Sequence, residues 1–236
     1  MDNPWLEIIY DGPPYILPEE LSLIEAFNNY QLSKKETNHI IATELFPEPF
    51  IGDIANAKLV LLNLNPGLDD RDFSNHLESN YIQAFTNNLS QNISSDFPFY
   101  PLDPQFRHTG NAAWWTNRIK NLTDSVGVKN VAKHLVVLEF FPYHSRKYCE
   151  VPNSMLKEFG MKDNLPSQKY TFHLLNTLLE KEDVIIVGLR SKKLWLNACE
   201  GLKEKLVMGI NVQNPHISPG NLGEENFNEI VQLLKK

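Results

Sequence analysis

The sequence predicts an α/β protein, a three-layer α/β/α sandwich around a central four-stranded parallel sheet. Three observations carry that expectation. Four short apolar runs, Leu59-Val60-Leu61-Leu62, Leu135-Val136-Val137-Leu138, Val184-Ile185-Ile186-Val187 and the weaker Leu206 to Val212, are continuous rather than alternating, as in strands covered on both faces. Helical spacing fills the intervals between them, and strands that alternate with helices form a parallel sheet between two helical layers. Each run also passes into a polar segment at its end, where ligands bind in open α/β sheets.

The helices follow from periodicity and from capping residues. Leu21, Ile24 and Phe27 mark an N-terminal helix, and Asn111 to Leu122 carries Trp114, Trp115, Ile119 and Leu122 at helical spacing. Ser167 is placed to cap a helix to Leu179, and Ser191 a short one that ends at Gly201. Phe227, Ile230, Val231 and Leu234 follow the i, i+3, i+4, i+7 pattern of an amphipathic helix. Ser90 to Pro104, rich in Pro, Asn and Ser, reads as a long surface loop. A length of 236 residues fits one domain, with residues 1–46 as a helical extension and 47–236 as the core.

Composition narrows the function. No apolar run reaches the length of a membrane span, and Met1-Asp2-Asn3-Pro4 lacks a basic stretch before an apolar core, so no membrane partner and a cytoplasmic location are expected. Cys149 and Cys199 are too few for an iron-sulfur cluster on four thiolates or for a disulfide framework, and both are expected to be free thiols. The net charge of −7 argues against a protein that coats nucleic acid. Residues 1–101 hold 4 Lys/Arg against 15 Asp/Glu, whereas residues 102–236 hold 18 against 14. A polyanion would therefore dock on the later part of the chain.

The strand ends hold the candidate chemistry. The first run enters Asn63-Leu64-Asn65-Pro66-Gly67, the second Glu139-Phe140-Phe141-Pro142-Tyr143-His144, the third Gly188-Leu189-Arg190, and the fourth Asn214-Pro215-His216-Ile217-Ser218-Pro219. Asn63-Leu64-Asn65-Pro66-Gly67 resembles the Gly-Ile-Asn-Pro-Gly motif of the mismatch-specific branch of the uracil-DNA glycosylases, with Asn63 in place of the first glycine. The fourth segment resembles the second motif of that superfamily, His-Pro-Ser-Pro in one branch and Asn-Pro-Ser in another. Phe106 to Trp114 is similar to a Phe-x-His-x-x-Asn-x-x-Trp pattern of the mismatch-specific branch. The resemblance spans about Pro47 to Pro219.

It implies a uracil-DNA-glycosylase-like fold and water-driven hydrolysis of the N-glycosidic bond of a flipped or free base, with no cofactor and no metal. Asn65 would orient the water. Either His216 or Asn214, depending on which motif is matched, would stabilise the departing base, and Phe106 would stack on it unless it plugs the core. Asn63, Pro66, Gly67, Tyr143, His144 and Ser218 complete the implied substrate surface, and Phe73 is a reserve for stacking. Arg146, Lys147 and Arg190 are placed to hold phosphate. Trp114 and Trp115 read as core anchors.

Glu139 stands where the uracil-specific branch carries Asn. An ionised carboxylate only accepts, which suits the N–H edge of guanine and opposes uracil. Two other readings stay open. One is a base-, nucleotide- or protein-binding module that cleaves nothing. The other, weaker, is a metal-dependent hydrolase that uses Asp69, Asp70 and Asp72. The turns of Asn65 and His216 are expected to face each other across one hollow.

Overall fold

The computed structural model describes residues 1–8, 12–211 and 213–236. Its strands are β1 (Phe50–Ile51), β2 (Leu59–Asn63), β3 (Leu135–Glu139), β4 (Ile185–Gly188) and β5 (Leu206–Met208), joined in one sheet in the order β1-β3-β2-β4-β5. β2 to β5 are mutually parallel, as the continuous apolar runs predicted. The expectation of four strands needs correction, because β1 adds a fifth, antiparallel to β3. A pairing of two residues is too short to leave any periodicity in a sequence. The fourth apolar run contributes only Leu206–Met208, and its Val212 lies outside the described residues.

Both faces of the sheet are covered. Val60, Leu62, Val136, Leu138 and Ile186 pack in one core with α1 (Pro18–Ser33), through Ile24 and Phe27, and with Leu175, Leu178 and Trp195. Leu59, Leu61, Leu135, Val137 and Val187 alternate with them and face a second core containing Phe85, Leu122, Val131 and Ile230. Alternate residues of each strand thus enter opposite cores, which accounts for the unbroken apolarity.

In chain order the remaining helices are α2 (Asp72–Asn75), α3 (Ser79–Ser90), α4 (Gly110–Arg118), α5 (Lys120–Val126), α6 (Val128–His134), α7 (Asn153–Glu158), α8 (Pro166–Leu179), α9 (Lys192–Ala198), α10 (Pro219–Leu222) and α11 (Glu224–Lys235). The helix expected over 111–122 is two helices, broken at Ile119, where φ −108° and ψ 15° leave the helical basin. α3, hidden in the sequence by its Asn residues, buries Tyr81, Phe85 and Leu89 at spacings of four. No helix of the described residues is long and apolar enough to cross a membrane. Cys199 is a buried free thiol and Cys149 a half-buried one.

Ser167 does not cap α8. Pro166 opens that helix, and the Gln168 side chain accepts from the Leu165 N–H at 3.1 Å. Ser167 serves Glu20 instead, donating from its backbone N at 2.6 Å and from Oγ at 3.1 Å. Tyr143 donates its hydroxyl to Glu20 at 2.7 Å and accepts from Leu17 N at 3.3 Å. Burial pushes the Glu20 carboxyl up to about 7. This knot ties α1 to the segment after β3 and to the start of α8, and it corrects the expectation that Tyr143 belongs to a substrate surface. Tyr143→Phe should strip a donor from Glu20 and an acceptor from Leu17, at about 1–3 kcal/mol. Thermal unfolding is expected to show a melting temperature lower by about 3–8 °C.

Candidate functional site

Strand register builds the floor of the site. β2 and β3 run in step from Leu59 beside Leu135 to Asn63 beside Glu139, so the first polar residue of each strand meets the other at the carboxyl ends. Asn63 Nδ2 donates to Glu139 Oε1 at 2.8 Å. Beside them β4 ends at Gly188, level with Leu62, and the chain passes on to Arg190. A cavity of about 590 Å³ opens beyond these ends, with Asn63, Asn65, Glu139, His144 and Arg190 in its wall.

The cavity gathers more of the sequence-derived candidates. Asn65 is half-buried, and its Nδ2 donates to Pro66 O at 2.8 Å and to Ser145 Oγ at 3.1 Å. These bonds hold the amide while its Oδ1 has no partner among the described residues. Pro66, Gly67, Arg146 and Lys147 also line the cavity. His144 is buried and donates from Nδ1 to Gly67 O at 2.7 Å, which leaves the Nε2 lone pair free in the neutral ring. Arg146 is paired with Asp70 at the exposed mouth.

Others lie elsewhere. Phe106 is fully buried, edge-on to Tyr81 and Tyr100, and is the core plug rather than a stacking platform. His216, Asn214 and Ser218 do not line the cavity. The expectation that Asn65 and His216 share one hollow is therefore not met. His216 accepts at Nε2 from Arg118 at 3.4 Å and donates from Nδ1 to Asn117 O at 3.2 Å. Asn214 is exposed. Ser218 begins α10, where its backbone carbonyl receives the N–H of Asn221 and Leu222.

Several wall residues went unread. Glu48, just before β1, accepts from Tyr100 Oη at 2.7 Å and Asn111 Nδ2 at 2.9 Å. His76 accepts from the Phe46 N–H at Nδ1 and packs edge-on against His144. No sequence pattern marks either residue. Asn111 and Trp114 were within reach, because they are the Asn and Trp of the Phe-x-His-x-x-Asn-x-x-Trp segment. Both line the cavity, and the half-buried Trp114 also packs against the second core, edge-on to Trp115. The exposed His108 of that segment pairs with Glu78 at 2.9 Å.

Burial sets the electrostatics. It pushes Glu139 up to about 8, aided by the charge of Glu48 and opposed by the Asn63 hydrogen bond. Desolvation raises Glu48 and Asp72 as well, and it drives His76 well below its ordinary value. At neutral pH Glu139 is therefore a neutral acid that can donate as well as accept. The expectation of an ionised, acceptor-only Glu139 is corrected accordingly.

Asp69 is held down at about 2, chiefly by the Arg71 hydrogen bond. Asp70 pairs with Arg146, and Asp72 accepts from the Asp69 N–H at 2.7 Å. The three aspartates are thus engaged separately, and no group among the described residues has the makeup of a metal site.

No protein-family model, curated protein or solved structure matches the chain. The site must be judged on its own geometry. Among the described residues, six buried side-chain polar atoms have no partner, and Asn63 Oδ1, Glu139 Oε2 and His144 Nε2 of the cavity wall are three of them. Such atoms cost about 1–3 kcal/mol each when left unpaired, and their clustering marks a place for polar ligand groups.

The raised acids carry a testable pH dependence. A carboxyl with an ordinary value near 4.5 that rises on folding stabilises fully below 4.5, and the gain disappears as pH climbs through the folded value. Glu20 and Glu139 place that loss up to about 7 and 8. His76 acts oppositely, but only below its ordinary 6.5. Melting temperature is expected to fall by about 5 °C between pH 6.5 and 8.5, and Glu139→Gln should flatten most of that slope.

Proposed function

We propose that the cavity receives a nucleobase, flipped from a strand or carried on a free nucleoside or nucleotide, and that the protein hydrolyses its N-glycosidic bond with water. The observation that carries this reading is the Asn63 and Glu139 pair, whose unused polar atoms share the cavity wall with Asn65. The resemblance to the uracil-DNA glycosylases at Asn65-Pro66-Gly67 points to the same chemistry.

In this reading Asn65 Oδ1 accepts a hydrogen bond from the attacking water while its Nδ2 remains on Pro66 and Ser145. The water oxygen bonds to the anomeric carbon, and the electron pair of the glycosidic bond leaves with the base. His144 Nε2, whose ring is oriented by Gly67 O, takes the proton that the water loses. Negative charge collects on the departing base. Arg190 and the protonated Glu139 are the groups at hand to stabilise it, in place of His216, which does not line the cavity. Asn63 and Glu139 together offer an acceptor and a donor, a pattern that fits a base edge with adjacent N–H and carbonyl groups.

A binding module without hydrolysis draws support from Asp69, an ionised carboxylate in the cavity wall that opposes an anionic leaving group. One assay separates the two readings. Oligonucleotides and nucleosides carrying uracil, hypoxanthine, xanthine or mismatched bases are scored for abasic sites and released base. Hydrolysis predicts release from at least one substrate, reduced about 100-fold or more in Asn65→Ala with an unchanged melting temperature. Tight binding with no release would favour the module, and full activity in Asn65→Ala would remove that residue from the chemistry.

A further inference from the structure

Beside the cavity, the end of α4 meets the loop before α10 at Arg118, a cation that the proposed hydrolysis leaves unused. Arg118, the last residue of α4, lies over the ring of the wall residue Trp114, with Cζ 4.9 Å from the ring centroid. Its Nη1 donates to His216 Nε2 at 3.4 Å, and His216 is itself held by the carbonyl of Asn117. The Ile217 N–H donates to Arg118 O at 2.8 Å, fastening the loop to the helix end. Asn221 steadies the loop from behind, donating to His216 O at 2.9 Å and accepting from the Asn211 N–H at 2.7 Å.

The guanidinium is thus fixed on three sides, by a ring face, an imidazole and its own helix. Its Nε is buried and has no partner among the described residues. No carboxylate among them forms an ion pair with Arg118 or with Arg190. Burial pulls Arg118 below its ordinary value, and the neighbouring charge of Arg190 pulls it further. Glu139, which feels the charge of Arg190, is pushed up to about 8 by burial and is neutral at physiological pH. Two like charges held together, one of them partly desolvated, cost free energy unless an anion answers them.

We propose that Arg118 and Arg190 form a phosphate-binding subsite at the edge of the cavity, with Trp114 and His216 as positioning residues that fix the Arg118 fork. A planar guanidinium pre-set on an aromatic face suits the tetrahedral oxygens of a phosphate, which it can contact through two N–H groups. The subsite deepens the base-pocket reading by assigning its substrate a phosphate next to the base. That phosphate belongs either to a free nucleotide or to a nucleic acid backbone, and the same chemistry serves both.

The first test is independent of the base. Inorganic phosphate is titrated into the full-length 15N-labelled protein, and the Nε–H signals of Arg118 and Arg190 are followed. Both are expected to shift together and saturate. Arg118→Gln should weaken phosphate binding about tenfold or more, with Arg118→Lys intermediate. Failure of either arginine to respond at tens of millimolar phosphate, or undiminished binding in a folded Arg118→Gln, would overturn the proposal.

The second test assigns the source. A nucleoside 5′-monophosphate that binds about tenfold tighter than its nucleoside, with the gain lost in Arg118→Gln, indicates a free nucleotide. A short single-stranded oligonucleotide whose salt dependence flattens in that variant indicates a backbone phosphate. If phosphate binds but no nucleotide or oligonucleotide gains from it, the subsite stands and the base-pocket reading falls.

Discussion

The register between β2 and β3 is the constraint on which the site depends. Two neighbouring strands covered on both faces leave no room for a polar side chain until they end, and they end together at Asn63 and Glu139. A slip of one residue would bury Glu139 against an apolar neighbour and exchange the faces of every side chain behind it. The hydrogen bond between Asn63 and Glu139 is therefore a product of strand packing, and it uses only one polar atom of each residue. The other two atoms are left without partners in the cavity wall.

Burial then decides the sign of the site. Of the four acids in the wall, desolvation raises Glu48, Asp72 and Glu139, whereas Asp69 stays ionised beside Arg71. Moving a carboxylate out of water costs several kcal/mol, more than a hydrogen bond to a neutral amide returns, so Glu139 holds its proton despite Asn63. The floor is uncharged at that point, and the positive charges of Lys147 and Arg190 stand at its edges. Asp69 and Asp70 are answered locally by Arg71 and Arg146.

What was legible in the sequence follows the same physics. The parallel strands were readable because burial on two faces writes an unbroken apolar run, and the strand ends were readable because polarity returns there abruptly. Asn63, Asn65, Glu139, His144 and Arg190 were found in this way. β1 and α3 were not, since one is two residues long and the other mixes Asn and Ser into its apolar stripe. Glu48 and His76 enter the wall through tertiary packing that no local pattern records. Phe106 and Tyr143 went astray for a different reason. A stacking platform and a core plug use the same aromatic residue, and only burial separates the two.

His216 shows how a motif can mark the right region and suggest the wrong contact. The segment from Asn214 to Pro219 was read as one side of the hollow that holds Asn65, whereas its histidine turns to Arg118 and to the end of α4. Pro215 restricts the backbone before the histidine, and Asn221 donates to the His216 carbonyl. That rigidity is worth its entropy only if the loop fixes something, and what it fixes is a guanidinium stacked on a residue of the cavity wall. The imidazole accepts from the arginine at Nε2 and gives its Nδ1 proton to a carbonyl, so both bonds demand the same neutral tautomer. Such a histidine is spent as a support. The groups free to meet a ligand are Asn65, Glu139 and His144 within the cavity and the two arginines at its edge, an uncharged acid beneath and cations at the margin, which is the polarity of a base joined to a phosphate.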